Sequence, residues 1–317
     1  MNNRFNLNKR LALGLICLVL SVVLVSCSSN KASVTPTTKP KPILPIVDSP
    51  ILVAHTTDGT VSYRVDGNGP SLVLIMGYSG SMDAWMPTFV DTLAQTHRVV
   101  IFDNAGIGQT SLPSGTLTMG KMAAQTNALI QYLKLNKPDV LGWSMGGMIA
   151  QALAINYPQD VNHLILAATL PGNGHAAAPT GSAITALTSP SSNNIVALLN
   201  LLFPPNQKIW QEKFVEGISK YPHFYVATSS VDAMQFNALA NWAFAKDRSG
   251  LDIKKIKAKT LIADGTEDQL IPQSNDKYLH SAIKGSKLVF YPDAGHGFLF
   301  QDQNQFVPLI NNFLKSS

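Results

Sequence analysis

Cysteine is almost absent from this chain, which has only Cys17 and Cys27 among its 317 residues. Both lie at the amino-terminal end, so the residues after Cys27 contain no thiol and form no disulfide among themselves. A body without disulfides must be held together by its own hydrophobic core. The chain from Ile51 onward is long enough to bury such a core.

Charged residues are also scarce, at 14% of the chain, whereas apolar residues make up 45%. This composition excludes a mainly disordered chain and indicates a packed globular body. The net charge of +5 comes from residues 1–50, because residues 51–317 contain equal numbers of acidic and basic side chains. The positive net charge therefore does not indicate a nucleic-acid partner.

The amino-terminal apolar run is too short to cross a membrane as a helix. Leu11–Val25 contains 15 residues without charge, and a transmembrane helix needs roughly 20. Three basic residues precede the run: Arg4, Lys9 and Arg10. A positive segment followed by a short apolar run predicts a secretion signal rather than part of the fold.

The end of this run, Leu24-Val25-Ser26-Cys27, resembles the lipobox of bacterial lipoprotein signal peptides. The resemblance implies removal of residues 1–26 and attachment of a lipid through the thiol of Cys27. The body would then lie in the bacterial cell envelope, outside the cytoplasm and anchored to a membrane. An uncleaved signal anchor, or a general signal peptide with an incidental cysteine, is the alternative. Residues 28–50 contain five prolines and no periodic pattern. This composition predicts that Cys27 and the residues up to position 50 form a tether.

From Ile51 onward, strand and helix patterns alternate. Continuous apolar runs such as Ser71–Met76 and Val161–Ala168 are typical of strands buried on both faces. Helical patterns such as Met119–Leu133 lie between them, and we find no internal repeat. The alternation predicts a mostly parallel sheet with helices on both faces. The segment at about 171–252 is too long for a plain connection and contains apolar runs of its own.

One motif lies between a predicted strand and a predicted helix. Gly142-Trp143-Ser144-Met145-Gly146 has the pattern G-x-S-x-G, which in this context forms a sharp turn that exposes the serine hydroxyl. Backbone N–H groups at the start of the helix stabilise developing negative charge. Gly142 and Gly146 are required because side chains there would collide with the neighbouring strand and helix. The pattern predicts Ser144 as a nucleophile, with a structural turn as the alternative.

A nucleophilic serine needs a base, and the base needs an acid to orient it. His296 follows the last predicted strand in a loop with a glycine on either side, which favours it as the base. Asp268 follows the strand that ends at Ala263 and is favoured as the acid over its neighbours Asp264, Glu267 and Asp293. Surface or structural roles are expected for the other histidines: His55, His97, His163, His175, His223 and His280.

Residues 51–317 resemble the α/β-hydrolase superfamily, in the branch of esterases and haloperoxidase-like enzymes. The likeness rests on five short segments: Met76-Gly77, Asp103–Gly108 (DNAGIG), the GWSMGG turn, GTEDQLIP and AGHG. It implies an eight-stranded, mostly parallel sheet flanked by helices, with a helical cap at about 171–252. It also implies Ser144, Asp268 and His296 as nucleophile, acid and base, in the chain order of this fold. The backbone N–H groups of Tyr78 and Met145 would form the oxyanion hole.

Two segments depart from the pattern of this superfamily. Met76-Gly77 stands where many relatives have His-Gly, although only the glycine turn is required. In the DNAGIGQTS segment, Asn104, Ala105, Gln109 and Thr110 stand where basic residues and serine are common in relatives. Because this segment is usually structural, Asp103 is assigned no catalytic role.

The implied activity is hydrolysis of a small, apolar ester through an acyl-enzyme on Ser144. No metal or organic cofactor is expected, because no His, Cys and carboxylate cluster has ligand spacing. The expected partners are a small-molecule substrate and the membrane, and the sequence does not identify a protein partner. Tyr78, Trp143, Phe203 and Trp242 are candidates to line the pocket, although packing of the cap helices on each other is favoured for any single one of them. The same residues also suit perhydrolysis and the cleavage of lactone, thioester, amide or carbon–carbon bonds. Because the predicted cap contains acidic residues, an aminopeptidase is also an alternative. If the protein is not an enzyme, the alternative is a lipoprotein that binds a ligand.

Overall fold

The computed structural model describes residues 44–188 and 195–315. The predicted signal peptide, Cys27 and most of the predicted tether lie outside these residues. The centre of the described body is an eight-stranded sheet in the order β1-β2-β4-β3-β5-β6-β7-β8. Its strands are β1 (Leu52–Thr56), β2 (Gly59–Asp66), β3 (Ser71–Ile75), β4 (Arg98–Phe102), β5 (Asp139–Trp143), β6 (His163–Ala167), β7 (Lys259–Gly265) and β8 (Lys287–Tyr291).

The sheet is antiparallel only at one edge. β1 pairs with β2 and β2 with β4 in antiparallel register, whereas β3 to β8 pair in parallel. All residues of β5 and β6 are buried, as expected for parallel strands covered on both faces. The predicted mostly parallel, eight-stranded sheet is confirmed.

Helices cover both faces of the sheet and form two hydrophobic cores. Alternate residues of β3 point to opposite cores: Val73 and Ile75 pack in one, Leu72 and Leu74 in the other, following the period of a strand. The helices are α1 (Pro87–Ala94), α2 (Met119–Tyr132), α3 (Met145–Asn156), α4 (Gly181–Thr188), α5 (Ile195–Leu202), α6 (Lys208–Ile218), α7 (Ser229–Ala243), α8 (Ser274–Ala282), α9 (Phe298–Gln301) and α10 (Gln303–Leu314). Among the described helices, none is both long and apolar enough to span a bilayer.

The packed body begins earlier than predicted. Residues 44–50 were assigned to the tether, but Ile46 is fully buried and its N–H donates to Asp91 Oδ1 at 2.7 Å. The guanidinium of Arg64 donates to the carbonyl of Ser49. A single buried apolar residue among prolines gives no periodic hydrophobic pattern, so the sequence did not indicate that Ile46 is buried. The boundary therefore lies near Ile46 rather than at Ile51.

The segment between β6 and β7 contains α4 to α7 and forms a cap on the body. Trp242, near the end of α7, is fully buried and its indole N–H donates to the carbonyl of Leu170 at 3.2 Å. A Cβ on Gly172 or Gly250 would lie within 2.5 Å of the Trp242 ring. Trp242 therefore fixes the cap to the body, which agrees with the packing role that the sequence offered as the alternative to pocket lining.

Candidate active site

Ser144 lies in a strained turn between β5 and α3. Its backbone angles, φ 58° and ψ −121°, are rarely adopted by residues other than glycine. Its N–H donates to the carbonyl of Ala167 at 2.9 Å, and its carbonyl accepts from Thr169 Oγ1 at 2.8 Å. These contacts from β6 and the segment after it hold the strained conformation in place.

The two glycines of the motif allow this turn to pack. A Cβ on Gly142 would lie 2.3 Å from the carbonyl oxygen of Gly146, and a Cβ on Gly146 would lie 2.0 Å from that of Ile75. Both distances are far below van der Waals contact. These positions therefore require glycine for the reason expected from the sequence, namely that a side chain would collide with the neighbouring backbone.

His296 and Asp268 form a short, buried hydrogen bond. His296 Nδ1 lies 2.6 Å from Asp268 Oδ2, and Asp268 Oδ1 accepts from the N–H groups of Leu270 and Ile271 at 2.7 and 2.9 Å. Both carboxylate oxygens are thus occupied and the carboxylate cannot rotate freely. A proton assigned to Nδ1 for this bond leaves Nε2 as an acceptor, the form that a general base requires.

His296 is tied directly to the turn that carries the serine. The indole N–H of Trp143, the residue before Ser144, donates to the carbonyl of His296 at 2.9 Å. The two ring centroids lie 5.5 Å apart. The structure thus brings the predicted base, its acid and the predicted nucleophile to the same end of the sheet.

The cap also holds the loop of His296. The N–H groups of His296 and Gly297 donate to the carbonyls of Leu201 and Leu202, at the end of α5, at 3.2 and 2.7 Å. A Cβ on Gly295 or Gly297 would approach these carbonyls or the ring of Phe203 to about 2.9 Å. The glycines beside His296 therefore permit close approach of the cap; neither adopts a positive φ.

The two predicted oxyanion donors lie beside Ser144. Met145 begins α3 immediately after the serine. A Cβ on Gly77 would lie 3.2 Å from Ser144 Cβ, which places the Gly77-Tyr78 peptide next to the nucleophile. Within the described residues, the N–H groups of Tyr78 and Met145 have no hydrogen-bond acceptor. Both groups are therefore available to a substrate oxygen.

Asp264 and Asp276 form a buried acidic group around Asp268 that the sequence did not predict. Burial raises the pKa of Asp264 well above its usual range, and the charges of Asp268 and Asp276 raise it further. Burial likewise raises the pKa of Asp276. Asp276 comes from the polar helix α8, which carries no motif that could have indicated it. Asp264 accepts a hydrogen bond from Gly265 N–H at 2.7 Å, and the partner of His296 is Asp268.

Asp103 is a structural residue, in agreement with the sequence. Its two oxygens accept from the N–H of Met82 and the hydroxyl of Ser62, both at 2.7 Å. Burial raises its pKa to about 6. Within residues 44–188 and 195–315, no group of three His, Cys, Asp or Glu side chains is arranged to hold a metal ion.

The profile of the family described as alpha/beta hydrolase fold matches residues 70–303, most of the chain. The chain belongs to the alpha/beta hydrolase family. This hydrolase is 28% identical over 255 residues to 2-hydroxy-6-oxo-2,4-heptadienoate hydrolase from Pseudomonas putida. The match covers 78% of this chain and 90% of the relative. The chain is therefore an enzyme of the hydrolase class.

Solved structures share the fold of this hydrolase. An alpha/beta hydrolase fold protein from Chitinophaga pinensis has a TM-score of 0.74 at 22% identity, over 86% of this chain and 99% of that one. An esterase from Rhodococcus has a TM-score of 0.70 at 23% identity, over 84% and 98%. An enol-lactonase from Burkholderia xenovorans has a TM-score of 0.67 at 22% identity, over 84% and 100%. At these identities the three structures show the shared fold, so the bond cleaved by this hydrolase must follow from its own site.

Proposed function

We propose that this hydrolase is a serine carboxylesterase that cleaves a small, apolar ester through an acyl-enzyme on Ser144. The observation that carries the proposal is the His296–Asp268 hydrogen bond of 2.6 Å, tied through Trp143 to the strained turn of Ser144. A base oriented by a fixed carboxylate, at the same end of the sheet as a half-buried serine in a strained turn, suits acyl transfer.

In the acylation step, Ser144 Oγ attacks the ester carbonyl carbon while His296 Nε2 accepts the hydroxyl proton. The carbonyl electron pair moves onto oxygen and gives a tetrahedral oxyanion. When the oxyanion collapses, the bond to the alkoxide breaks and His296 returns the proton to the departing alcohol. Asp268 holds the ring orientation and stabilises the imidazolium. Water then repeats the sequence on the acyl-enzyme and releases the acid.

The oxyanion would rest on the N–H groups of Tyr78 and Met145. Each donor of this kind contributes roughly 3 kcal/mol to the stabilisation of the transition state. Their fixed position before the reaction means that no reorganisation is needed when charge develops. This arrangement favours cleavage of a carbonyl compound over substitution at an alkyl carbon.

Aromatic side chains near Ser144 support an apolar substrate. The rings of Tyr78 and Phe236 meet edge to face with centroids 6.1 Å apart, and Trp143 packs against the ring of His296. The acid Asp232 approaches Tyr78 from the cap. Together, these groups favour a neutral, apolar acyl or alcohol group over an anionic one.

The test is fluorophosphonate labelling and p-nitrophenyl ester hydrolysis by the full chain, with Ser144→Ala and His296→Ala beside it. We expect labelling and turnover in the wild type and loss of both in the two variants, with unchanged circular dichroism. The preferred acyl length then measures the pocket. Labelling that persists in Ser144→Ala means that another serine is the nucleophile. A folded wild type that is neither labelled nor active favours a ligand-binding lipoprotein instead.

Carbon–carbon bond hydrolysis is a second candidate, favoured by the relative from Pseudomonas putida, which is matched over 90% of its length. The compound in the name of that relative carries a carboxylate and a vinylogous ketone. The discriminating measurement is the ratio of kcat/KM for p-nitrophenyl acetate to that for 2-hydroxy-6-oxo-2,4-heptadienoate. A ratio above one supports the esterase, and a ratio below one supports the carbon–carbon hydrolase.

We also propose that the enzyme is anchored in the bacterial cell envelope through a lipid on Cys27. The sequence Leu24–Cys27, which resembles a lipobox after a short apolar run, supports this proposal. The test is labelling of expressing cells with an alkyne analogue of palmitate, followed by fractionation of the membranes. We expect label and membrane association in the wild type and neither in Cys27→Ser. Equal membrane association of Cys27→Ser would indicate an uncleaved signal anchor.

A further inference from the structure

Helix α7 of the cap contacts the loop that carries one oxyanion donor. Gln235 on this helix is fully buried, and its side-chain Oε1 accepts from the backbone N–H of Ser79 at 2.9 Å. Ser79 is the residue after Tyr78. The Nε2 of the same amide donates to the carbonyl of Ala105 at 3.1 Å. One glutamine therefore links the cap to two loops of the body.

Two further side chains of α7 reach the residue that carries the N–H. Asp232 and Phe236 lie three residues before and one residue after Gln235, so all three share one face of the helix. Phe236 packs edge to face against the ring of Tyr78. Burial raises the pKa of Tyr78 far above its usual value, and the charge and hydrogen bonding of Asp232 raise it further. The Tyr78-Ser79 segment is thus held by a helix that is distant in sequence.

The backbone of this segment needs such support. Ser79 has φ 61°, a left-handed conformation that costs a residue other than glycine or asparagine about 1 kcal/mol or more. Such a conformation persists only where surrounding contacts fix it. The N–H of Tyr78 belongs to the peptide immediately before, so its direction depends on the same backbone path.

The body also contributes to this support. Asn104 Nδ2 donates to the carbonyl of Met76 at 2.8 Å, and the next residue, Ala105, supplies the carbonyl that Gln235 contacts. The loop after β3 is therefore held at Met76 by the body and at Ser79 by the cap. The Gly77-Tyr78 peptide lies between these two points.

We propose that Gln235 is a positioning residue that holds the N–H of Tyr78 in its productive place and couples the seating of the cap to the oxyanion hole. The inference rests on the proposed esterase function, since it needs Tyr78 N–H as an oxyanion donor. Gln235 acts through Ser79 and does not touch the substrate. Both groups of its side-chain amide are needed, because the oxygen accepts from Ser79 N–H and the nitrogen donates to the carbonyl of Ala105.

Substitutions separate these two contacts. Gln235→Met keeps the length of the side chain but removes both hydrogen bonds, whereas Gln235→Glu keeps an acceptor for Ser79 and loses the donor to Ala105. Displacement of a catalytic group by about 1 Å costs roughly a hundredfold in rate. We therefore expect kcat to fall about 10- to 100-fold in Gln235→Met, with KM within about threefold of wild type. The kcat of Gln235→Glu should lie between those of wild type and Gln235→Met.

Gln125 provides a matched control. It is also buried, lies on a helix (α2), and donates to two backbone carbonyls of distant loops, at Ser111 at 2.9 Å and Asp58 at 3.4 Å. These loops lie outside the Ser144 turn. Gln125→Met should therefore lose stability to a similar extent as Gln235→Met while its kcat stays within about threefold of wild type.

The experiment measures kcat, KM, the rate of fluorophosphonate inactivation and Tm for the full chain and the three variants. Support requires a loss of kcat and inactivation rate in Gln235→Met beyond that in Gln125→Met at comparable Tm. Equal losses in the two Met variants, or a kcat of Gln235→Met within threefold of wild type, overturn the proposal. If Gln235→Met does not fold, two other variants decide the proposal. A wild-type kcat in Gln235→Glu would show that the hydrogen bond to Ala105 does not contribute. A wild-type kcat in Gln235→Leu would show the same for the hydrogen bond to Ser79. A wild type that does not react overturns the esterase function, and the role of Gln235 falls with it.

Discussion

Two histidine–aspartate pairs of this hydrolase share nearly the same local geometry at opposite ends of the sheet. His163 Nδ1 lies 2.8 Å from Asp139 Oδ1, and His296 Nδ1 lies 2.6 Å from Asp268 Oδ2. All four side chains are buried. His163 and Asp139 are the first residues of β6 and β5, whereas Asp268 and His296 follow the carboxyl ends of β7 and β8.

The surroundings of the two pairs differ completely. The His163 ring packs against Phe313 beside a surface pocket of about 350 Å³ whose lining includes four lysines: Lys137, Lys257, Lys259 and Lys315. The His296 ring packs against Trp143, next to the strained serine and two backbone N–H groups. A buried imidazole–carboxylate pair is therefore not an active site by itself. The proposed nucleophile, Ser144, and the proposed oxyanion donors, the N–H groups of Met145 and Tyr78, follow the carboxyl ends of β5 and β3, at the opposite end of the sheet from His163 and Asp139.

The largest expected difference between the pairs follows from removal of each histidine. We expect His296→Ala to lower kcat about 10⁶-fold, since loss of the base disables the serine. His163→Ala should leave kcat within about threefold and lower stability, because it leaves Asp139 without one of its partners. Ester hydrolysis and urea unfolding measure both effects. A large loss of kcat in a folded His163→Ala protein would contradict this assignment.

Replacement of each aspartate tests the same comparison with a smaller effect. Asp268→Asn should lower kcat about 10⁴-fold, because an amide favours the wrong imidazole tautomer. Asp139→Asn should keep kcat and destabilise the fold by only about 1 kcal/mol, because its amide oxygen can still accept from Asn162 and His163 N–H and only the charge that strengthens the bond to the ring is lost. Similar kcat values in the two variants would remove the distinction between the pairs.

The sequence placed those parts of the candidate site that lie in short local motifs. Ser144, Asp268 and His296 each occupy a recognisable turn after a strand, and the burial of β5 and β6 follows from their apolar runs. The requirement for glycine at position 142 could be explained before the structure because its collision is with Gly146 in the same turn, whereas Gly146 collides with Ile75 of β3, a strand distant in sequence. The fold class followed from the alternation of strand and helix patterns.

Residues that act through distant contacts could not be predicted. Gln235 lies 156 residues from Ser79, and a glutamine within a cap helix has no pattern that distinguishes it from a surface residue. Asp276 joins the acidic group only because α8 packs against β7. The role of Gly295 and Gly297 in seating α5 also depends on the tertiary fold. Burial of Ile46 is of the same kind, since one apolar residue among prolines gives no periodic signal.

The smallest expected difference between the two pairs is in the pH dependence of the free energy of unfolding. It arises because Asp268 has the buried acidic neighbours Asp264 and Asp276. Burial and the charges of Asp268 and Asp276 raise the pKa of Asp264 in the folded protein, whereas an unfolded aspartate titrates near pH 3.9. Between these values, the folded protein holds a proton that the unfolded chain has lost. The free energy of unfolding therefore falls as pH rises through this window, by up to about 1.4 kcal/mol per pH unit.

Asp264→Asn removes this titration, so its free energy of unfolding relative to wild type should increase as pH rises from 4 to 7. Asp103→Asn is the matched control because burial raises the pKa of Asp103 to about 6. Its gain relative to wild type should reach about 3 kcal/mol and level off above pH 6. Urea unfolding at intervals of half a pH unit measures both curves. If the free energy of unfolding of Asp264→Asn does not increase relative to wild type as pH rises, the pKa of Asp264 is not raised beside Asp268.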